Sequence, residues 1–527
     1  MIAKSLVLAS VFGLSTSAFA ATLVVNPAGG AGVYTKVQTA VNAAANGDII
    51  QVAAGTYTGT IINTKGKTLV IESVQGAGST ILVGNGSSPV VTVPTGASSD
   101  VTLRGFTIQN ANARGVRGTG GMVTIEDSIL SGLGTSALNG GAVHVSGGAL
   151  TVDNSTFSNN TGAYGAHVAT QSGAVVTLSD STFSNGLANR GGALSLAQGS
   201  AVITNSTFTA NVATTWGGAI RNTQANDLTV TGCTFSGNDS STAQGGAISS
   251  AGGGDLLVSA SSFSDNDAST GGGAIYFEYG LLDIDSSTFE LNDATAGSGG
   301  AVYIRYNTGA TSLAVDGSRF DANTSTDKGG GIYAEGVGPV ITGSELYDNI
   351  AEYGGGLYVV DSVGRGSSSV GTTIFQGNLA SWIGGGLFID SKSSTSLGSN
   401  TFLANDALIG AGANVKCYNS FDFRNNIVAD QSNGSGLNLQ RSSCTTYNVK
   451  YNAWDNNPSN VGGTAPAPSL ADGTNLTATA PSFATYSNDL DWTNDDLTLG
   501  LASPLVDAGD ATMLGLDNSR IDIGAHP

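Results

Sequence analysis

Between about residue 106 and residue 426 one phrase returns: Phe, two variable residues, Asn, a short polar stretch, then Gly-Gly-Ala and an aliphatic residue. Its first half stands at Phe157–Asn160, Phe208–Asn211, Phe235–Asn238, Phe263–Asn266, Phe289–Asn292, Phe320–Asn323, Phe375–Asn378, Phe402–Asn405 and Phe423–Asn426. Its second half stands at Gly140–Val143, Gly191–Leu194, Gly217–Ile220, Gly245–Ile248, Gly272–Ile275 and Gly299–Val302, and drifts at Gly354–Leu357 and Gly384–Leu387. Most neighbouring phenylalanines lie roughly 25 to 31 residues apart, a period that belongs to solenoids. In such an array each unit contacts only its neighbours, so one thin core can lengthen without dividing into globular domains.

The pattern inside a repeat is strand-like. Apolar residues alternate or nearly so in Leu228-Thr229-Val230 and Leu281-Leu282-Asp283-Ile284, and the Ser and Phe of Ser-x-Phe share a face by period two. About three short strands broken by Gly, Asn and Asp fill each unit, with no room for a helix. The expected fold is therefore all-β, a right-handed parallel β-helix in which Phe157, Phe208, Phe235, Phe263 and Phe289 stack as an interior ladder. The Asn ending each Phe-x-x-Asn sits at a corner, where its amide bonds backbone and stacked asparagines bond one another. Asn160, Asn211, Asn238 and Asn266 thus read as structural.

Four segments follow. Residues 1–20 read as a signal peptide, with Lys4, an apolar run from Leu6 to Leu14 and the small-x-small site Ala18-Phe19-Ala20. Position 21 is Ala, not Cys, which argues against lipid attachment. Residues 21–60 read as a cap: a strand at Leu23-Val24-Val25, a helix over Tyr34–Ala45 with Val37, Ala40, Val41 and Ala44 on one face, an end at Asn46-Gly47-Asp48, and a strand at Ile49–Val52. Residues 61–426 carry the β-helix, and 427–527 read as degraded final coils with a C-terminal cap.

With 39 acidic against 19 basic residues and a net charge of −20, the chain suits neither nucleic acid nor an anionic membrane surface. No membrane-spanning segment and no cofactor are expected; calcium is the cation that such an acidic surface would draw. A monomer is expected. Cys417 and Cys444 are 27 residues apart, one repeat, so adjacent coils would bring them within disulfide reach. Cys233 stands where other repeats have Ser155, Ser181, Ser206, Ser261, Ser287 and Ser318, and reads as a packed interior residue.

The paired Gly-Gly-Ala-Ile and Phe-x-x-Asn grammar resembles the polymorphic outer membrane protein repeat of chlamydial-type surface adhesins. Lys36–Val41, Asn46–Val52 and Gly55-Thr56-Tyr57 resemble the N-terminal cap of pectate-lyase-like β-helices. Ala502-Ser503-Pro504, Val506–Gly509 and Ile521–Ala525 resemble the closing segment of choice-of-anchor β-helix proteins. The resemblance implies an extracellular or surface protein. The ending Gly524-Ala525-His526-Pro527 departs from the usual Gly-Ala-Tyr-Glu, and neither an autotransporter barrel nor a sorting signal follows. Free secretion or peripheral outer-membrane association is expected.

Chemistry is sparse by comparison. Asp265, Asp267, Glu278 and Glu290 recur in adjacent coils with Arg305 and Lys328 further on, the only grouping that suggests a carboxylate cluster. Neither the Arg-x-Pro-x-x-Arg stretch of pectate lyases nor the Gly-His-Gly and Arg-Ile-Lys elements of polygalacturonases is present. The histidines are His144, His167 and His526; the first two occupy matching places in successive repeats and read as strand-surface residues. No catalytic, cofactor or metal residue is assigned. The expected function is a non-enzymatic, adhesin-like scaffold for a carbohydrate or cell-surface ligand; the alternative is a polysaccharide lyase or hydrolase, for which those carboxylates and Arg305 would have to converge in one groove.

Overall fold

The computed structural model describes residues 20–524 apart from 96–98, 225, 307–309, 442, 464–469, 471–473, 486–495, 500–502, 507 and 510–521. Residues 1–19 of the expected signal peptide and His526 lie outside the described residues. The chain is a right-handed parallel β-helix. Return from one strand to its parallel neighbour through a crossover is right-handed because strands themselves twist that way.

Each full coil follows one itinerary. It begins with a Leu/Val strand such as Leu256–Ser259, in a 17-stranded sheet. It continues with a Phe strand such as Ser262–Ser264 and, in the middle coils, a two-residue strand such as Asp267–Ala268 in a 9-stranded sheet. A glycine corner then leads into a strand such as Ile275–Glu278, in a 16-stranded sheet. We call these the Leu/Val, Phe, short and glycine-led sheets. All four are parallel, and the register repeats coil after coil, as in Phe235↔Phe263 and Ile248↔Ile275. Inward residues of the three long sheets meet in one continuous core, from Val25 to Trp454.

The phenylalanines stack as expected. Rings of Phe208, Phe235, Phe263, Phe289 and Phe320 follow one another at 4.7–4.8 Å with planes within 5°. That spacing is the strand repeat itself. Two rungs escaped the motif. Phe183 pairs with Phe157 and Phe208, but its fourth position is Gly186, and Leu346 takes the ring's place between Phe320 and Phe375. Phe423–Asn426 is a correction of the opposite kind. Phe423 belongs to the Leu/Val sheet, opposite Leu397, while Val428 and Trp454 continue the Phe column.

The corner asparagines form a buried polar ladder. In Asn238, Asn266, Asn292, Asn323 and Asn349 the side-chain amide donates to a phenylalanine carbonyl and to the Oδ1 of the next asparagine, at 2.9–3.0 Å. The left-handed residue at this corner is the one before the asparagine, for example Asp265 (φ 52°) or Leu291 (φ 56°). A second ladder runs along the Leu/Val-to-Phe corner. There each Ser Oγ accepts the amide of the preceding coil's serine, as in Ser261 N to Ser287 Oγ at 3.1 Å. Cys233, buried, occupies one rung, and past Ser344 the rungs become Thr373, Asn400, Asn426 and Asn452. At the glycine corner Gly245 has φ +73°, and a Cβ on Gly246 would lie 2.0 Å from the carbonyl oxygen of Gly273. Coil-on-coil approach leaves that position no side chain.

At the N-terminus the helix covers only Val37–Ala43, shorter than the periodicity predicts, and buries Val37, Ala40 and Val41. Lys67 Nζ donates to the carbonyls of Val41 and Ala44 at 2.8 and 2.5 Å, and Asp48 accepts the amides of Ala21 and Ala45. These contacts close the helix end. Thr22–Val25 and Ile49–Val52 already pair within the Leu/Val sheet. No described helix is long and apolar enough to cross a membrane.

At the other end the outward residues of the Phe sheet turn apolar. Ile374, Leu403, Ile427, Ala429 and Ala453 pack against Leu497, Leu499, Leu505 and Ile523 of the final segment, and the Gly524 amide donates to the Asn425 carbonyl at 2.6 Å. Cys417 and Cys444 are joined by a disulfide with Cα atoms 5.0 Å apart. They are not register equivalents, because Cys417 pairs with Arg441; Cys444 lies beyond that strand on the way to Thr446–Lys450. Replacing both by serine is expected to cost about 3 kcal/mol through the longer free loop in the unfolded chain. Denaturant titration with and without reductant checks this, since the wild type under reduction should match the variant.

Candidate binding face

The residues singled out from sequence do not converge. Glu290 pairs with Asp321 on the outside of the Phe sheet. Asp265 sits at the left-handed corner, and Asp267 stands on the short sheet between Asp239 and Asp293. Of the carboxylates and cations, Glu278 and Arg305 share a place, paired on the glycine-led sheet with Glu335 next in line. Lys328 lies in the corner before the glycines and bonds Asp327 at 2.6 Å. Asp267 is pushed up to about 6 by its desolvation and by Asp293, Asp239 and Asp265. Among the described residues no group of three or more His, Cys, Asp or Glu is arranged to hold a metal ion.

The outer face of the glycine-led sheet is where side chains gather. Tyr276, Tyr303, Tyr333, Tyr358 and Phe388 occupy one outward column in successive coils. Their centroids are 4.7–5.6 Å apart, mostly tilted or edge-on, and Tyr353, Val360 and Ile383 pack beside them. A neighbouring column carries Glu278, Arg305 and Glu335. Arg305 Nε lies 3.5 Å from Glu335 and its Nη1 4.0 Å from Glu278. The Tyr303 hydroxyl donates to Glu335 at 2.5 Å and the Tyr276 hydroxyl to Glu278. Burial, then the carboxylate neighbours, hold both phenols well above their ordinary range. Glu335 above all raises Arg305 and keeps it charged. The face therefore lines up a column of packed aromatic rings, of which Tyr276, Tyr333, Tyr358 and Phe388 are buried, beside a column of charged groups tied to one another and to the phenol hydroxyls.

The two described histidines are one place out of register, not matched. Val143 pairs with Val168, so His144 faces Ala169, and His167 takes the inward alanine position. His167 is fully buried and repairs the ladder where Gly186 lacks an amide. Its Nδ1 meets Asn160 Nδ2 at 2.9 Å and its Nε2 meets Asn211 Oδ1 at 3.2 Å. Burial pushes it from 6.5 down to about 4. The folded chain keeps this ring neutral while the unfolded chain protonates it. Its contribution is therefore complete above pH 6.5 and is lost as pH falls toward 4. Thermal melts across that window are expected to show a steeper loss for the wild type than for His167→Gln, which cannot gain the proton.

A family model described as "right handed beta helix region" matches residues 91–240 and 141–326. Among solved structures the chain is similar to a pectate lyase at 14% identity, covering 96% of each chain with a TM-score of 0.26. An alginate lyase of the PL6 family matches at 10% identity, over 87% of this chain and 99% of that one, with a TM-score of 0.25. A rhamnogalacturonan lyase matches at 13%, over 68% and 82%, with a TM-score of 0.24. Likenesses this distant carry no argument about activity. No curated protein matches.

Proposed function

We propose that this chain is an exported, non-enzymatic β-helix that binds a carbohydrate or other cell-surface ligand along the outer face of its glycine-led sheet. The observation that carries this reading is the tyrosine column, whose neighbouring carboxylates are already engaged by Arg305 and by phenol hydroxyls. Fixed, satisfied polar groups beside aromatic rings suit recognition more than proton transfer. Export rests on Lys4, the apolar run and Ala18-Phe19-Ala20, and the repeat's resemblance to surface adhesins agrees with it. The test is incubation of the mature chain with polygalacturonate and alginate, with and without calcium, following ultraviolet absorbance of unsaturated products. No turnover is expected; calcium-dependent turnover overturns the proposal. One feature favours a polysaccharide-active enzyme instead, the Asp267 carboxyl raised to about 6 among Asp239, Asp265 and Asp293. In that case Asp267→Asn would abolish the turnover.

A further inference from the structure

Two coils before the tyrosines, the same outward column holds Arg221, through Ser249 to Tyr276. Trp216 precedes the glycines of that coil, and Arg190 holds the same place one coil earlier, opposite Tyr164. The Arg190 guanidinium carbon lies 4.5 Å from the Trp216 ring centroid and 5.3 Å from that of Tyr164, and Arg221's lies 5.5 Å from Trp216. The indole is fixed by its N–H bond to Gln244 Oε1 at 2.9 Å, and Arg221 Nη1 donates to Ser249 Oγ at 2.6 Å. Neither guanidinium meets a carboxylate among the described residues, in a chain with twenty more acidic than basic residues (39 − 19).

That arrangement is electrostatically incomplete. An aromatic face attracts a cation but does not neutralise it, and two like charges on one indole repel. Arg221 is pushed down to about 10, by burial and then by Arg190. The Nε atoms of both arginines are buried without an acceptor. Glu278 acts on Arg221 from the next coils and partly offsets this, but it forms no ion pair with it and is engaged by Arg305 and the Tyr276 hydroxyl.

We propose that Arg190, Trp216 and Arg221 form a subsite for the anionic group of an extracellular polysaccharide, a uronate carboxylate or a sulfate ester. The proposal rests on the binding-face reading above and supplies its ligand class. Arginine pairs are suited to such groups because the guanidinium fork matches their oxygens.

The test uses the mature chain with polygalacturonate as carboxylate probe, dextran sulfate as sulfate probe and dextran as neutral control, by affinity electrophoresis at low and high salt. Binding of either anionic probe, weakened by salt and absent for dextran, is expected. The R190Q/R221Q double variant should bind at least tenfold more weakly, while its melting temperature holds or rises because the repulsion is gone. Tryptophan fluorescence should shift on binding in the wild type and not in W216F. Binding of polygalacturonate alone assigns a carboxylate site, and binding of dextran sulfate assigns a sulfate-accepting one. The subsite is overturned if no anionic probe binds the wild type, or if the double variant binds unchanged. Binding that persists in the double variant leaves the scaffold reading standing; turnover in the absorbance assay sinks that reading alone.

Discussion

Asn266→Ala is expected to remove about 4 kcal/mol or more of stability, since each buried group left without a partner costs roughly 1–3 kcal/mol. The Asn266 Oδ1 accepts the backbone amide of Asn238 at 3.2 Å and its side-chain amide at 2.9 Å. Its own amide donates to the Phe235 carbonyl at 3.0 Å and to Asn292 Oδ1 at 2.9 Å. Asn238, Asn266 and Asn292 are all fully buried, so no water can take over these roles. Asn266→Asp separates the two halves of the argument. It retains acceptance, loses donation and buries a charge, so it should be more harmful at neutral than at acid pH. Denaturant titration followed by circular dichroism measures both. In a linear array the lost coupling should also split the transition as the coils on either side part company. A single unshifted transition would show that the ladder is not what binds one coil to the next.

Phe263→Ala is expected to cost about 3–5 kcal/mol, the range for emptying a large buried ring. Phe263 lies between Phe235 and Phe289, 4.7 Å from each centroid, and is wholly buried. Neighbouring rings cannot close the gap, because their spacing is set by the strands and not by the rings. Phe263→Leu should cost no more than about 1.5 kcal/mol, because the fold already accepts Leu346 on such a rung. Near-equal losses for the two variants would mean that ring stacking, beyond volume, is required at each rung.

These positions were legible in the sequence because identical residues recur in register and nothing else in the unit is so regular. What stayed hidden were rungs filled by another residue. Gly186, Leu346 and Val428 break the motif without breaking the coil, since each needs only to fit a slot defined by its neighbours. His167 was out of reach for the same reason, because its role follows from a missing amide at Gly186 on the next coil. The candidate face was written plainly in Ile275-Tyr276-Phe277-Glu278, Val302-Tyr303-Ile304-Arg305 and Ile332-Tyr333-Ala334-Glu335. Outward residues become neighbours only once the register is known, however. Grouping Asp265 and Asp267 with Glu278 followed closeness in sequence. In a coil of this length a dozen residues carry the chain round a corner to another face. Arg190, Trp216 and Arg221 likewise meet across two coils and share no local pattern.

The bonds between coils all run along the axis, and this governs how the molecule answers a pull. Tension applied to its two ends opens those bonds one coil at a time instead of shearing a whole sheet at once. Extension should thus proceed at modest force, with each coil paying out its length in turn like line from a reel. The Cys417–Cys444 link ties two of the last coils together and would be a stop on that reel. A scaffold bound sideways along the glycine-led sheet spreads load over many coils, and so holds fast in the direction where its own ends would yield.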